Sequence, residues 1–330
     1  MNQQRVFIFE WVCGGGLFAD RIAPETNLDL LSQGWQMLVD VCDDFVENGY
    51  LVETLIDNRL ELTELSPSVK THRFENRNSS LPARLLELAG ACQWILIVAP
   101  ETNGRLEQCL TKLLPLQSRL LNPSISLTKL ASNKHELAHF LKSKNVLVPD
   151  GDLLSNLKSF GIRDLEYPMV IKPVDGCGGE GIRLVHQQSD FEHVDDPASY
   201  RLEEFVAGEA VSVSVTLGES PEIYRPLRQT FRTLPIGKFK NCKDDLTDSI
   251  ADRAIRLAEK TIEALPQSNG YVGIDMVIGK QDVVIEINPR LTMSYGLLRK
   301  ANDQSSLADQ MVESCRNGIR HRRTNPAPSA

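Results

Sequence analysis

Asp275, Glu286 and Asn288 stand in a pattern that suits a hard cation. The stretch Tyr271–Arg290, YVGIDMVIGKQDVVIEINPR, reads as two strands joined by a tight turn at Gly279–Asp282. Pairing Gly279 with Asp282 puts Asp275 directly across from Glu286, and Asn288 follows two residues later on the same face. Facing carboxylates repel across a ladder, so a plain sheet avoids the pair. A divalent ion between them removes the objection. A set that offers only carboxylate and amide oxygens suits Mg²⁺, or Mn²⁺, bridged to nucleotide phosphates.

A second constellation lies upstream, in Val170–Ile182, VIKPVDGCGGEGI. A strand delivers Lys172, and Gly176, Gly178, Gly179 and Gly181 follow closely. Glycine lets the backbone approach an anion and turn its N–H groups toward it, while lysine supplies the compensating charge. No GK[ST] closes the run, so it is not a Walker A motif. The bland alternative is a flexible hairpin beside a surface lysine. Further on, Arg201–Glu209 (RLEEFVAGE) reads as a strand entering a Gly-Glu turn, which could offer backbone groups to a base edge or could simply carry solvated acids.

The elements that position these residues follow from periodicity. Val6–Val12 is a short apolar strand ending at Gly14–Gly16. Leu28, Leu31, Trp35, Leu38, Cys42 and Phe45 recur at helical spacing, and Asn48-Gly49 ends that helix. A strand at Leu51–Ile56, a helix at Leu81–Cys92, a strand at Trp94–Ala99 and a helix at Arg105–Leu114 continue the alternation. Residues 1–122 therefore predict a doubly wound, mostly parallel α/β domain. After Pro123 the pattern changes. Helices are expected at Ile125–Ala131 and Lys134–Ser143, and strands at Tyr167–Lys172, Ile182–His186, Arg201–Val206 and Ala210–Leu217. In the last, Val211, Val213, Val215 and Leu217 alternate with Ser212, Ser214 and Thr216, predicting a half-buried antiparallel strand. An amphipathic helix at Asp245–Leu265 precedes the hairpin, and another is expected near Gln304–Cys315. Residues 123–206 and 207–315 thus form two further lobes, with 316–330, basic and then Pro/Ala-rich, as a disordered tail. Pro235–Lys243, bearing Lys238, Lys240 and Lys243, could be a mobile lid.

At 330 residues and 42% hydrophobic content the chain easily buries a core. A net charge of −8 with no dense basic run before the tail makes nucleic acid a poor partner. Seven cysteines without CxxC argue against a disulfide framework or structural zinc. No secretory leader and no apolar span of membrane length are apparent, so a cytoplasmic, reduced protein with no membrane partner is expected. Homo-oligomerisation stays open.

In this order the pieces resemble the ATP-grasp superfamily over about residues 123–300, with the first domain similar to the α/β domain that usually precedes it. The resemblance implies ATP clamped between two α+β lobes. Lys134 and Lys172 would be the phosphate lysines and Gly176–Gly181 the flap. Glu203, Glu204, Phe205 and Val206 would form the adenine hinge, and Glu209 would bind ribose. Asp275, Glu286 and Asn288 would hold the metal. Arg290 would hold a transferred phosphate or acyl phosphate, with Arg228 and Arg232 as further carboxylate clamps. The stretches Phe9–Gly16 (FEWVCGGG) and Asn288–Tyr295 (NPRLTMSY) look like the tyramine–L-glutamate ligase branch, linked to methanofuran-type one-carbon cofactors. What this implies is an ADP-forming ligase that joins a small carboxylate to an amine. The alternative is an ATP-binding sensor or partner-binding module without ligase chemistry.

Three competing motifs arise. Gly14–Ala19 fits the dinucleotide fingerprint, but the acid about 20 residues on, Asp40, falls inside the long helix. His135-Glu136-Leu137-Ala138-His139 matches HExxH, with Glu166 the only tempting third ligand and Asn133 able to cap the helix instead. Cys177 could be a nucleophile or a small loop residue.

Overall fold

The computed structural model describes residues 3–22, 27–61, 63, 65–74, 81–160, 165–191, 194–232, 236–301 and 306–324, with side chains 158–160 and 318–324 excepted. The first domain comprises β1 (Arg5–Glu10), α1 (Gly16–Ala19), α2 (Leu28–Glu47), β2 (Leu51–Asp57), β3 (Val69–Phe74), α3 (Leu81–Gly90), β4 (Trp94–Val98) and α4 (Arg105–Lys112). Its sheet is parallel, in the order β3-β2-β1-β4. Alternation along β1 explains the layers. Val6 and Ile8 join the core under α2, whereas Phe7 and Phe9 join the core under α3 and α4. Because β2 and β4 flank β1 on opposite sides, the order reverses at the carboxyl ends of β1 and β4. A crevice opens at such a point.

The second lobe contains α5 (Ile125–Ser132), α6 (Lys134–Ser143), β5 (Gly151–Leu153), α7 (Leu154–Phe160), β6 (Met169–Pro173), β7 (Arg183–Val185) and β8 (Tyr200–Glu204), with the antiparallel order β5-β8-β6-β7. The third contains β9 (Gly208–Leu217), β10 (Glu222–Ile223), β11 (Leu227–Phe231), β12 (Phe239–Lys243), α8 (Asp248–Ala264), β13 (Gly270–Gly279), β14 (Asp282–Asn288), α9 (Tyr295–Ala301) and α10 (Leu307–Thr324). Its sheet runs β12-β11-β9-β13-β14, with β10 on β9.

Two expectations change. Ser212, Ser214 and Thr216 are as buried as the valines beside them, so β9 is not half-solvated. Its polar face is covered by side chains that satisfy its hydroxyls. Tyr271 Oη donates to Ser214 Oγ at 2.5 Å, Ser214 and Ser294 Oγ lie 3.1 Å apart, and Thr216 meets Tyr224 Oη at 2.8 Å. The chain also stays helical past Arg316, because α10 runs to Thr324; the rest of the expected tail, Gln304 and Pro235 lie outside the described residues. Among the described residues no helix is long and apolar enough to cross a membrane.

Candidate active site

The β13–β14 hairpin brings Asp275 opposite Glu286, but not by the simplest register. Its first rungs are Ile278↔Asp282, Val277↔Val283 and Met276↔Val284, one residue out of step with the expected pairing. A bulge then inserts Ile285, and the ladder resumes with Asp275↔Glu286, Ile274↔Ile287 and Gly273↔Asn288. A one-residue slip flips every side chain to the other face, so the bulge is what restores the carboxylate pair. The Ile285 carbonyl lies 3.4 Å from Lys172 Nζ.

All three metal-candidate side chains line one cavity of about 760 Å³. Asp275 Oδ1 accepts from Ser212 Oγ at 2.7 Å, and its Oδ2 accepts from Asn288 Nδ2 at 3.1 Å. Burial, then the charge of Glu286, pushes the Asp275 carboxyl up from its ordinary value. Burial also acts against Glu286, but Lys134, Lys172 and Arg290 outweigh it and hold that group down. Two opposed buried carboxylates, one of them penalised, fit a divalent cation with oxygen preference. Because a proton competes with the metal for Asp275, Mg²⁺ should raise the melting temperature more at pH 8 than at pH 5. Thermal scans with and without Mg²⁺ at both pH values check this; an equal gain would detach Asp275 from metal binding.

The basic residues converge from three elements. Lys134 opens α6; its Nζ lies 3.1 Å from Glu286 Oε2 and donates to the Gly176 carbonyl at 2.5 Å. Lys172, on β6, lines the cavity and forms a buried ion pair with Glu203 Oε1 at 2.5 Å. Arg290 follows β14, and its Nε donates to Glu101 Oε2 at 3.0 Å. The glycine loop closes over them. Gly178, Gly179 and Gly181 all take positive φ, and Gly178 and Gly179 line the cavity whereas Gly176 and Gly181 do not.

Gly179 allows a close approach. A Cβ there would lie 2.3 Å from the Gly237 carbonyl oxygen, on the loop between β11 and β12, and Phe239 N–H donates to the Gly178 carbonyl at 3.2 Å. From the same loop region Arg232 Nη1 and Lys238 Nζ reach Asp29 on α2 at 3.0 and 3.3 Å. Residues 236–243 thus bridge all three lobes at the cavity mouth. Gly179→Ala combines a strained φ with a backbone clash costing about 1–3 kcal/mol. Its KM for ATP should rise about tenfold or more, the equivalent of about 1.4 kcal/mol; unchanged steady-state kinetics would remove the contact from nucleotide capture.

Other expected residues are placed differently. Glu204, Phe205 and Val206 line the cavity as a segment between the lobes. The Glu203 side chain turns away into the small lobe, held by Lys172 and by Arg201 Nε at 2.7 Å. Glu209 is bound by Arg228, which also donates to Asp245 at 2.9 Å. Neither Arg228 nor Arg232 lines the cavity, and Arg232 is half-exposed. Among the three arginines only Arg290 does.

Sequence reading missed the acids at the switch point. Glu10, at the end of β1, is almost fully buried, lines the cavity and accepts from the Cys13 N–H at 2.7 Å. Burial pushes its carboxyl up, against the backbone N–H groups of the following loop. Gly34 leaves room for it, since a Cβ there would sit 2.8 Å from the Glu10 carboxyl carbon. A glycine inside a helix costs about 1 kcal/mol against alanine, so its use in α2 was the available clue. Glu101, after β4, is buried, and its Oε1 has no hydrogen-bond partner among the described residues.

The competing motifs do not assemble a second catalytic centre in the cavity. α1 has four residues, too short to hold a pyrophosphate on its dipole, and Asp40 packs against Gly296. The acid ending β2, Asp57, is occupied by Arg59 Nε at 2.8 Å. His135 and His139 lie outside the cavity lining, and Glu166 is exposed. Cys177 lines the cavity, and burial pushes its thiol up, which disfavours the nucleophilic thiolate.

Comparison with known proteins agrees with this geometry. Residues 131–294 match the ATP-grasp domain and residues 51–126 the pre ATP-grasp 3 domain. A tyramine–L-glutamate ligase of Methanocaldococcus fervens is 32% identical over 84% of this chain and 79% of its own length. The Methanocaldococcus jannaschii protein of the same name is 26% identical over 95% of this chain and 90% of its own. A crystal structure described as a putative ATP-grasp superfamily protein from Archaeoglobus fulgidus superposes with a TM-score of 0.70 at 25% identity, covering 94% of this chain and 89% of that one. With a parallel α/β domain leading into two lobes that enclose these acids, lysines and glycines, the chain belongs to the ATP-grasp ligase family.

Proposed function

We propose that this ligase activates a small carboxylate, with glutamate the first candidate, as an acyl phosphate and joins it to the primary amine of a compact apolar molecule of the tyramine type. The observation that carries the reading is the two-sided cavity. One side gathers Lys172, Arg290, Asp275, Glu286 and Asn288; the other is walled by Trp11, Leu17, Ile22 and Met37, with the Glu10 carboxylate among them. The names of the curated relatives support the same pair of substrates.

Lys134 and Lys172 hold fixed positive charge where ATP phosphates would lie. Glu204–Val206 presents backbone groups to the base. Arg290, held by Glu101, stands ready to clamp the carboxylate and then its acyl phosphate, since a guanidinium binds planar oxygen pairs in two bonds. Mg²⁺ held by Asp275, Glu286 and Asn288 would neutralise charge on the β- and γ-phosphates. The substrate carboxylate attacks the γ-phosphorus and ADP leaves; the amine then attacks the acyl carbon and phosphate leaves. Glu10, raised by burial, is suited to hold the ammonium and accept its proton. Glu10→Gln should lower kcat/KM for the amine by at least about 100-fold while leaving the KM for ATP nearly unchanged. A proportional rise in the KM for ATP would overturn that role.

The reading is tested by ADP release from purified protein with Mg-ATP and L-glutamate, with and without tyramine or tyrosine, and by mass spectrometry of the product. ADP that requires both substrates, with a product one water lighter than their sum, is expected. ATP binding without ADP from any amine would reject this substrate pair and favour the non-catalytic alternative.

A further inference from the structure

The HExxH histidines find a third ligand that the sequence spacing concealed. His135 and His139 occupy successive turns of α6, with ring centroids 4.4 Å apart, and Asp152 comes from β5. One ligand atom from each of the three lies within 4.8 Å of the other two. The trio is already ordered. Asn133 Oδ1 caps α6 by accepting from the His135 and Glu136 N–H groups at 3.0 Å. Asp152 Oδ1 accepts from Leu153 N–H at 2.7 Å and Asn156 Nδ2 at 2.9 Å. Two imidazoles and one carboxylate form a donor set for a borderline transition cation, unlike the oxygen-only set at Asp275.

We propose that His135, His139 and Asp152 form a separate Zn²⁺-class binding site whose occupancy weakens ATP binding through Arg201. Arg201 Nη1 lies 3.3 Å from His135 Nδ1. Arginine can only donate, so Nδ1 accepts and the ring proton resides on Nε2, which lies 3.8 Å from Asp152 Oδ1. A cation taking Nε2 displaces that proton to Nδ1, with no net proton released. Two donors then face each other, and Arg201 must turn away. The same guanidinium holds Glu203, and Glu203 holds the cavity lysine, Lys172. Metal binding and the ordered Lys172 arrangement therefore oppose one another, and linkage makes the antagonism reciprocal. The site stands whether or not the proposed substrates are correct, because metal binding is read without turnover.

The test uses the full chain in excess Mg²⁺. Zn²⁺ is titrated against a chromophoric chelator, and Co²⁺ serves as a spectroscopic probe of imidazole coordination. One Zn²⁺ per chain is expected, with a Co²⁺ visible spectrum of histidine-ligated character. Both should weaken at least tenfold in His139→Gln and in Asp152→Asn. His139 is exposed, so its replacement should leave the fold and basal ATP affinity unchanged. Zn²⁺ should raise the apparent Kd for ATP at least fivefold in the wild type and not in His139→Gln. Chelation of ATP itself affects both proteins alike, so only the difference reports the site. Equal Zn²⁺ affinity in wild type and variants would overturn the site, and an equal ATP response in both would overturn the coupling.

Discussion

Asp275→Asn should make the metal-free protein more heat-stable and nearly inactive. The amide keeps the shape: its oxygen can still accept from Ser212 Oγ, which lies 2.7 Å from the native carboxylate, and its NH2 can donate to Asn288 once that amide, 3.1 Å away, flips to present its oxygen. It removes one of two facing negative charges. The pH dependence fixes the sign. A carboxyl raised above its unfolded value contributes stability that is present below the unfolded value, near 4, and lost as pH rises through the folded one. At pH 7.5 the wild type carries the full penalty, so the variant should melt higher, by an amount of about 1 kcal/mol. By pH 4 the gap should shrink. Turnover should fall about 1,000-fold, the scale of losing one preorganised electrostatic group at the reacting phosphate. Thermal scans without Mg²⁺ and ADP release with saturating Mg²⁺ measure the two effects. Retained turnover would remove Asp275 from the metal site; a lower melting point would mean that the hydrogen bonds outweigh the repulsion.

Lys172→Met is the second large effect. Breaking a buried ion pair by removing one partner typically costs about 3–5 kcal/mol. Here Glu203 keeps Arg201 Nε at 2.7 Å, so the loss should fall below that range and the protein should fold. The cavity loses a fixed positive charge at the phosphate position, and ATP affinity should drop about 100-fold, the equivalent of about 2.7 kcal/mol. Lys172→Arg keeps the charge but adds a second guanidinium beside Arg201, so it should restore only part of the affinity. Isothermal titration of ATP into both variants decides. Wild-type affinity in Lys172→Met would assign the Lys172–Glu203 pair to stability alone.

Much of this was legible in the chain. The parallel domain was readable because β1 and β4 are continuous apolar runs and α2 repeats its apolar face faithfully. Lys172 and the glycine loop stood out because a strand delivers the lysine directly into four closely spaced glycines. The Asp275–Glu286 pairing was reached through an even register that the hairpin does not keep; nothing around Ile285 announces a bulge. β3, β5, β11 and β12 escaped because VKTHRF, GDL, LRQTF and FKNCK carry no clean alternation and gain their pairing from neighbours. Glu10, Glu101 and Asp152 were invisible for one reason. Each meets its partners only through tertiary proximity, and a single acid at a strand end has no spacing to betray it. Glu209, Arg228 and Arg232 have the expected chemistry, but each is engaged by a neighbouring charge and none of them lines the cavity.

α9 and α10 return to the first domain. Tyr295 Oη and the Ala308 N–H both donate to Asp44 on α2, at 2.5 and 3.0 Å, and Leu298, Leu307, Met311 and Val312 complete the core that holds Val6, Ile8, Val41 and Phe45. During translation the first domain leaves the ribosome with one flank of α2 bare, and Tyr295, which helps to cover it, follows Asp44 by 251 residues. Vectorial, domain-by-domain maturation is closed to this face of the chain. The nascent protein must hold an apolar surface in waiting until α9 and α10 have emerged, which is the interval in which chaperones would engage it.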